Sequence, residues 1–323
     1  MKKFVTRIFL FLLPVVIVAY ISDGVITKAM RQYVAGDGKV WNDVIEGKLN
    51  SDIYIYGSSR AQNHFDPEIL QDTLNMPVYN LGLNGLKFLM VKCRHDLAMM
   101  HGRKPKEIIL SLDVTLLVAR RDLFKYEILI PFINEPIVRR ATMRYDAFDL
   151  YDYYLPMVRY TGCKKELKGA LKYLFTHGAQ QDDGIKRGYR TRAESWNGDF
   201  ERERARNATY RAEVDSATYA AFEALMQEAL RDSIRLVMVY SPEYYEMNSY
   251  VTNEDSIVNI YKAFAQKYNV PLLDYRTDTL CKSKTYFYNA MHMNTKGTVI
   301  FSRHLASDLR KLHEQRGWPE QKH

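Results

Sequence analysis

The chain has 323 residues and a mass of 37.8 kDa, with 47% hydrophobic, 26% charged and 13% aromatic residues, which excludes wholesale disorder and fibrous repeats and allows one large domain or two small ones. Lys and Arg total 46 against 38 Asp and Glu, a net charge of +8 that permits anionic partners without identifying one. Cys93, Cys163 and Cys281 lie far apart with no CxxC and no Cys/His cluster, so buried free thiols are expected and neither a zinc site, a disulfide framework nor a cofactor is.

At the N-terminus Lys2, Lys3 and Arg7 precede the apolar run from Ile8 to Ile21. As a helix that run spans about 21 Å, short of a bilayer core, although Phe4, Val5 and the stretch to Ile26 lengthen it. Residues 1–27 therefore read as a membrane segment. Ala19-Tyr20-Ile21-Ser22 is a poor cleavage site, which favours an uncleaved anchor; a cleaved signal, leaving a secreted or periplasmic protein, is the alternative. Basic charge before the run places the N-terminus in the cytoplasm and the following domain outside it. The solid apolar run lacks the alternation of a globular surface helix. Residues 28–50 read as a linker or stalk, and 51–323 as the folded domain.

The domain opens with Asp52-Ile-Tyr-Ile-Tyr-Gly57, an apolar, aromatic run that reads as a buried strand stopping at Gly-Ser-Ser. A helix over 68–74, a short strand at Val78-Tyr79, a glycine-rich turn over 80–85, a helix over 88–101 and a strand over 107–113 follow. The pattern lapses between about 116 and 212, which reads as an insertion. From Arg159 to Arg211 it carries thirteen Lys/Arg against seven Asp/Glu. No helical, finger or RNP reading module accompanies this charge, so nucleic acid is not expected as a partner; an acidic glycan or anionic headgroups suit an exported domain better. Helix 216–231, strand 235–240, helix 255–268, strand 271–274 and helix 295–314 complete an α/β alternation, which predicts a mostly parallel sheet sandwiched by helices.

In such sheets ligands sit beyond the carboxyl ends of the strands. Three places there carry chemistry: Ser58-Ser59 after the first strand, Gly82-Leu-Asn-Gly85 after the second, and Asn289-Ala-Met-His292 before the last helix. A serine, a loop with exposed amide N–H groups and a histidine are the nucleophile, oxyanion donors and general base of acyl transfer. Each alone is ordinary: a serine after a strand usually caps a helix, Gly-x-x-Gly is usually a tight turn, and a histidine can simply start a helix.

Their order resembles the SGNH/GDSL hydrolase superfamily over about 52–113 and 235–312. The resemblance places Ser59 on the nucleophile, Gly85 on the oxyanion glycine and His292 on the base. It implies a flavodoxin-like three-layer sandwich. Gly-Ser-Ser-Arg, Phe-Asp-Pro, Tyr-Asn-Leu-Gly and His-Met-Asn-x-x-Gly look closer to membrane-anchored members similar to the D-alanyl-lipoteichoic-acid biosynthesis protein and the alginate acetylation proteins. That branch implies work on cell-envelope polysaccharide esters, often beside a membrane-bound O-acyltransferase.

Two positions depart from the pattern. Ser111-Leu-Asp113-Val-Thr115 replaces the third block Gly-x-Asn-Asp, so the third oxyanion donor beside Ser59 and Gly85 is either missing or supplied by Thr115. Asn289 replaces the aspartate of Asp-x-x-His; in serine proteases such a change costs about 10⁴ in turnover, or about 5.5 kcal/mol of barrier. Asp274 is the alternative carboxylate. Two readings follow: an exported esterase or O-acyltransferase working through Ser59 and His292, and a degenerate module that binds glycan or docks an acyltransferase.

Overall fold

The structure, a computed structural model, describes residues 2–33, 36–176, 184–206 and 209–318. In chain order its elements begin α1 (Lys2–Tyr33), α2 (Asp37–Ile45), β1 (Ile53–Tyr56), α3 (Ser59–His64), α4 (Pro67–Leu74), β2 (Val78–Asn80), α5 (Phe88–His101) and β3 (Glu107–Leu112). There follow α6 (Pro136–Thr142), α7 (Leu150–Tyr154), α8 (Lys164–Thr176), β4 (Ile185–Lys186), β5 (Tyr189–Arg190), α9 (Asp199–Ala205) and α10 (Ser216–Arg231). The chain closes with β6 (Arg235–Tyr240), α11 (Met247–Tyr250), α12 (Glu254–Tyr268), β7 (Leu272–Asp274), β8 (Phe287–Asn289), β9 (His292–Met293) and α13 (Thr295–Gln315).

Contacts divide the chain into two compact units, one of Met1–Asn42 with Arg121–Asp183 and the other of Asp43–Arg120 with Gly184–His323. The stretch 116–212, set apart in the sequence, is thus shared: its described residues 121–176 fold with the N-terminal segment, and the β4–β5 hairpin and α9 fold with the sheet. The N-terminal helix likewise runs past residue 27 to Tyr33.

The larger unit carries the expected α/β sheet. Its five strands are parallel in the order β2-β1-β3-β6-β7, the doubly wound flavodoxin-type order. Every residue of β1 and β3 is buried, as strands covered on both faces require, and Tyr54 pairs with Tyr79 on one side and Ile108 on the other. Helices α5, α10 and α12 cover one face, where Phe88, Phe222, Tyr261 and Phe264 meet. Helices α3, α4 and α13 cover the other, where Phe65 and Tyr275 pack edge-on to Phe301. The order reverses direction at β1, so the crevice between β1 and β3 opens at their carboxyl ends.

The smaller unit wraps the second half of α1. Ile26, Ala29 and Met30 join Ile130, Tyr160, Cys163 and Ala170 in a common core. Asp23 pairs with the buried Arg159 and accepts a hydrogen bond from Met157 N at 2.8 Å. All three cysteines are buried thiols.

A candidate active site at the carboxyl edge of the sheet

The chain leaves β1 through Gly57, whose φ of +152° and tight fit decide the residue: a Cβ there would lie 2.7 Å from Ser111 O. The next two serines take different work. Ser58 caps α3, its hydroxyl accepting from Arg60 N at 3.3 Å and donating to the carboxylate of Asp113. Ser59 is the first residue of α3, and its Oγ lies 2.6 Å from His292 Nε2 across 233 residues of sequence. The cap expected of a serine after a strand is therefore met by Ser58, and Ser59 is left facing the histidine.

The loop after β2 holds α3 in place. Asn80 is buried; its amide donates to Ala61 O at 2.7 Å and Phe65 O at 2.9 Å, and its oxygen accepts from Gly82 N at 2.9 Å. Gly82 lies so close to α3 that a Cβ would come within 2.5 Å of Gln62 N. This contact seats the loop beside Ser59, and Ser59, Gly85 and Thr115 all line one pocket of about 50 Å³. About 10–15 Å³ of such space holds a water, so the pocket takes a group of a few heavy atoms. The Thr115 hydroxyl is turned away from the role assigned to it, donating to Asp113 Oδ1 at 2.9 Å. Lys87 and Arg120, which the sequence did not mark, share the same walls with Asp113 of the third block.

His292 stands on β9, antiparallel to β8, with Asn289 paired opposite it. The Asn289 oxygen accepts from Met291 N at 3.1 Å and His292 N at 3.0 Å, and lies 3.0 Å from His292 Nδ1. Two backbone donors thus orient the amide, so the atom presented to the ring is the acceptor. Nδ1 must carry the proton, and Nε2 offers its lone pair to the Ser59 hydroxyl. The ring is stacked on Tyr288 at 5.4 Å, and Arg192 lies over the same tyrosine. Burial, with Arg60 and Arg192 nearby, lowers the His292 pKa to about 4, while Asp113 opposes the shift. The imidazole is therefore a neutral base at ordinary pH.

Asp274 is not brought to this histidine. Its carboxylate is forked by Arg276, with contacts of 2.8–3.1 Å, at the end of the edge strand β7. The alternative carboxylate assigned from sequence is thus corrected: an arginine two residues on captures it, and among the described residues it is Asn289 that meets Nδ1.

Behind Ser59 lies a buried polar network that no local motif announces. Arg60 pairs with Glu243 at 2.9 Å and donates to Ser241 Oγ at 3.2 Å. Ser241 Oγ also lies 2.8 Å from His64 Nδ1, and His64 Nε2 accepts from Met293 N at 3.0 Å. The chain next to His292 is thereby fastened to the helix that carries Ser59. Burial first, then Arg60, holds the His64 pKa well below the usual value, so its ring is neutral and keeps Nε2 as an acceptor. The signals available in sequence were Arg60 directly after the serine and Ser241-Pro-Glu243 directly after β6, but nothing paired them.

A second hollow of about 140 Å³ has Met291 and Asn289 in its wall, together with Phe200, Met247 and Tyr250. Elsewhere His95, Asp96 and Glu228 gather at metal-ligand spacing, but Lys92 Nζ sits among them, 2.5 Å from Asp96 and 2.9 Å from Glu228, and serves as their cation.

No protein-family model and no curated protein matches the chain. Among solved structures it is similar to a GDSL-like lipase from Bacteroides thetaiotaomicron, with 9% identity over 85% of this chain and 99% of that one and a TM-score of 0.41. It is also similar to an acetyl xylan esterase, with 12% identity over 80% and 98% and a TM-score of 0.39. A G-D-S-L family protein from Desulfitobacterium hafniense gives 10% identity over 79% and 98% and a TM-score of 0.38.

Proposed function

We propose that this chain is an SGNH-type serine esterase or O-acyltransferase, tethered by α1 to the outer face of a cytoplasmic membrane and acting on short acyl esters of a cell-envelope polysaccharide. The observation that carries the reading is the relay Ser59 Oγ, His292 Nε2, His292 Nδ1, Asn289 Oδ1, in which each contact has the donor and acceptor that nucleophilic catalysis needs. Ser59 gives its proton to Nε2 as Oγ attacks the acyl carbonyl carbon, and the oxyanion forms against the wall made by Ser59 and Gly85. The imidazolium then protonates the departing alkoxide, leaving an acyl ester on Ser59. Water or an acceptor hydroxyl repeats the sequence in reverse to release the acyl group. The pocket's size supports a short acyl group.

The anchor is supported by the 32-residue α1, whose most apolar window has a mean hydropathy of 2.4 and no buried residue. The polysaccharide substrate and an acyltransferase partner rest on the sequence resemblance. A second reading, a glycan-binding or docking module without turnover, is favoured by the neutral amide at Asn289, which cannot stabilise the imidazolium by charge.

Turnover of activated acetyl and octanoyl esters by the wild type and Ser59→Ala tests the enzyme reading. Hydrolysis of the acetyl ester, abolished in Ser59→Ala, supports it. Equal background rates in both folded proteins would favour the docking module.

A further inference from the structure

Helix α1 changes character along its length. From Phe4 to Ile21 its large apolar side chains are exposed, and this stretch rises about 27 Å, close to the ~30 Å of a bilayer core. Asp23 is the first buried residue of α1. Its bond to Met157 N and its ion pair with Arg159 fix residues 157–159 of the smaller unit within a turn of the end of the apolar stretch.

Immediately before Met157 lies α7, which is apolar on the wrong side for a soluble domain. It buries Tyr153, whose hydroxyl donates to Thr142 Oγ1 at 3.1 Å, and turns outward Leu150 (68% exposed), Tyr151 (67%), Tyr154 (57%) and the following Leu155 (47%). Single exposed apolar residues need no explanation, but four together at the foot of an apolar helix do. The charges around them balance in number, Arg139, Arg140 and Arg144 against Asp146, Asp149 and Asp152, so the case rests on the apolar side chains. Arg139 lies over the Tyr154 ring at 5.6 Å, and Arg140 and Arg144 are exposed nearby in sequence. The acids Asp149 and Asp152 are engaged in the capping box of α7, with Asp149 N donating to Asp152 at 2.8 Å.

We propose that α7 is a membrane-contact element: Leu150, Tyr151, Tyr154 and Leu155 rest in the interfacial layer of the phospholipid bilayer that α1 crosses, so that the smaller unit lies on the lipid surface rather than hanging from a tether. Tyrosine favours this layer because its ring is apolar and its hydroxyl stays wet. The inference rests on the anchor reading above.

The three native cysteines are buried, so a cysteine introduced at an exposed position takes a thiol-reactive fluorophore selectively. Tyr151→Cys, Leu13→Cys and Phe175→Cys, each in the full chain reconstituted in phosphatidylcholine vesicles, are compared by aqueous iodide quenching and by quenching from nitroxide phospholipids. Phe175 is the aqueous reference: Gly169 of α8 already lies against Tyr33, well beyond Asp23 along α1, and Phe175 follows it at 84% exposure. The expected result is loss of iodide quenching at Tyr151 and Leu13, with quenching by shallow nitroxide lipid at Tyr151 and by deep nitroxide lipid at Leu13. Iodide access at Tyr151 equal to that at Phe175, with Leu13 still protected, would overturn the contact element and leave the anchor standing. Iodide access at Leu13, or its loss by cleavage, would overturn both. Lipid quenching at Phe175 equal to that at Tyr151 would also overturn the proposal, because the contact would then not belong to α7.

Discussion

An asparagine amide has an acceptor end and a donor end, and the N–H groups of Met291 and His292 turn the oxygen of Asn289 toward the imidazole. In serine proteases the cost of about 10⁴ for replacing the triad aspartate by asparagine comes with the wrong tautomer. Here the backbone selects the right one, and only the missing charge remains as a handicap. Asn289→Asp should therefore raise ester turnover by clearly less than that ~10⁴. It should also move the acid limb of the kcat/KM profile upward from about pH 4, because a carboxylate on Nδ1 stabilises the imidazolium. Asn289→Ala removes the tautomer control and should lower turnover by about 10²-fold or more, the low end of general-base contributions. Asp274→Asn should leave the profile unchanged, since its carboxylate is held by Arg276; a loss of activity in that variant would restore Asp274 as the partner. From sequence, Ser59, Gly85 and His292 were singled out by the family resemblance, among loops that the α/β alternation puts beyond the carboxyl ends of the strands. The orientation of Asn289 was not, because it depends on backbone N–H directions in the β8–β9 turn.

At the level of elements, the site is held by how closely α3 meets its neighbours. Gly82→Ala would force a methyl to 2.5 Å from Gln62 N, against backbone that cannot swing aside. It should destabilise the larger unit by about 1–3 kcal/mol, as overpacking does, and lower kcat by displacing Ser59 from His292; thermal unfolding and ester kinetics check both. Glu243→Ala leaves the guanidinium of Arg60, which is 1% exposed, without its carboxylate. The expected loss is about 3–5 kcal/mol, the usual result of breaking a buried pair from one side; a midpoint shift in urea equivalent to less than ~1 kcal/mol would mean that Ser241 alone satisfies Arg60. The strands β1, β3 and β6 were plain in the sequence as continuous apolar runs, and α10, α12 and α13 as amphipathic repeats. Helix α3 was missed, since Ser-Arg-Ala-Gln-Asn-His has no apolar period. Its helicity comes from the Ser58 cap and from burial of Arg60, Gln62, Asn63 and His64 by partners distant in sequence.

For the whole molecule, the two-unit division was the least legible feature, because Asp23 and Arg159 are 136 residues apart and only folding brings them together. Buried neutral histidines give the molecule an acid weakness. The pKa values of His292 and His95 fall to about 4 and about 3, chiefly through burial, and that of His64 falls well below the usual value. Between about pH 6.5 and the folded values the unfolded chain binds protons that the native chain refuses, so stability falls as pH falls through that window and is regained above it. Thermal melts of the full chain in detergent should show a midpoint that drops steadily below pH 6.5, and a flat midpoint from pH 7 to pH 4 would contradict the buried neutral state. The pairing of Ser59 with His292 is tested most directly by treating the full chain in detergent with a fluorophosphonate and mapping the adduct by mass spectrometry. One adduct is expected on Ser59, absent in Ser59→Ala and retained in Ser58→Ala, whose hydroxyl caps α3 and binds Asp113. A folded wild-type chain that takes no adduct on Ser59 would contradict the pairing.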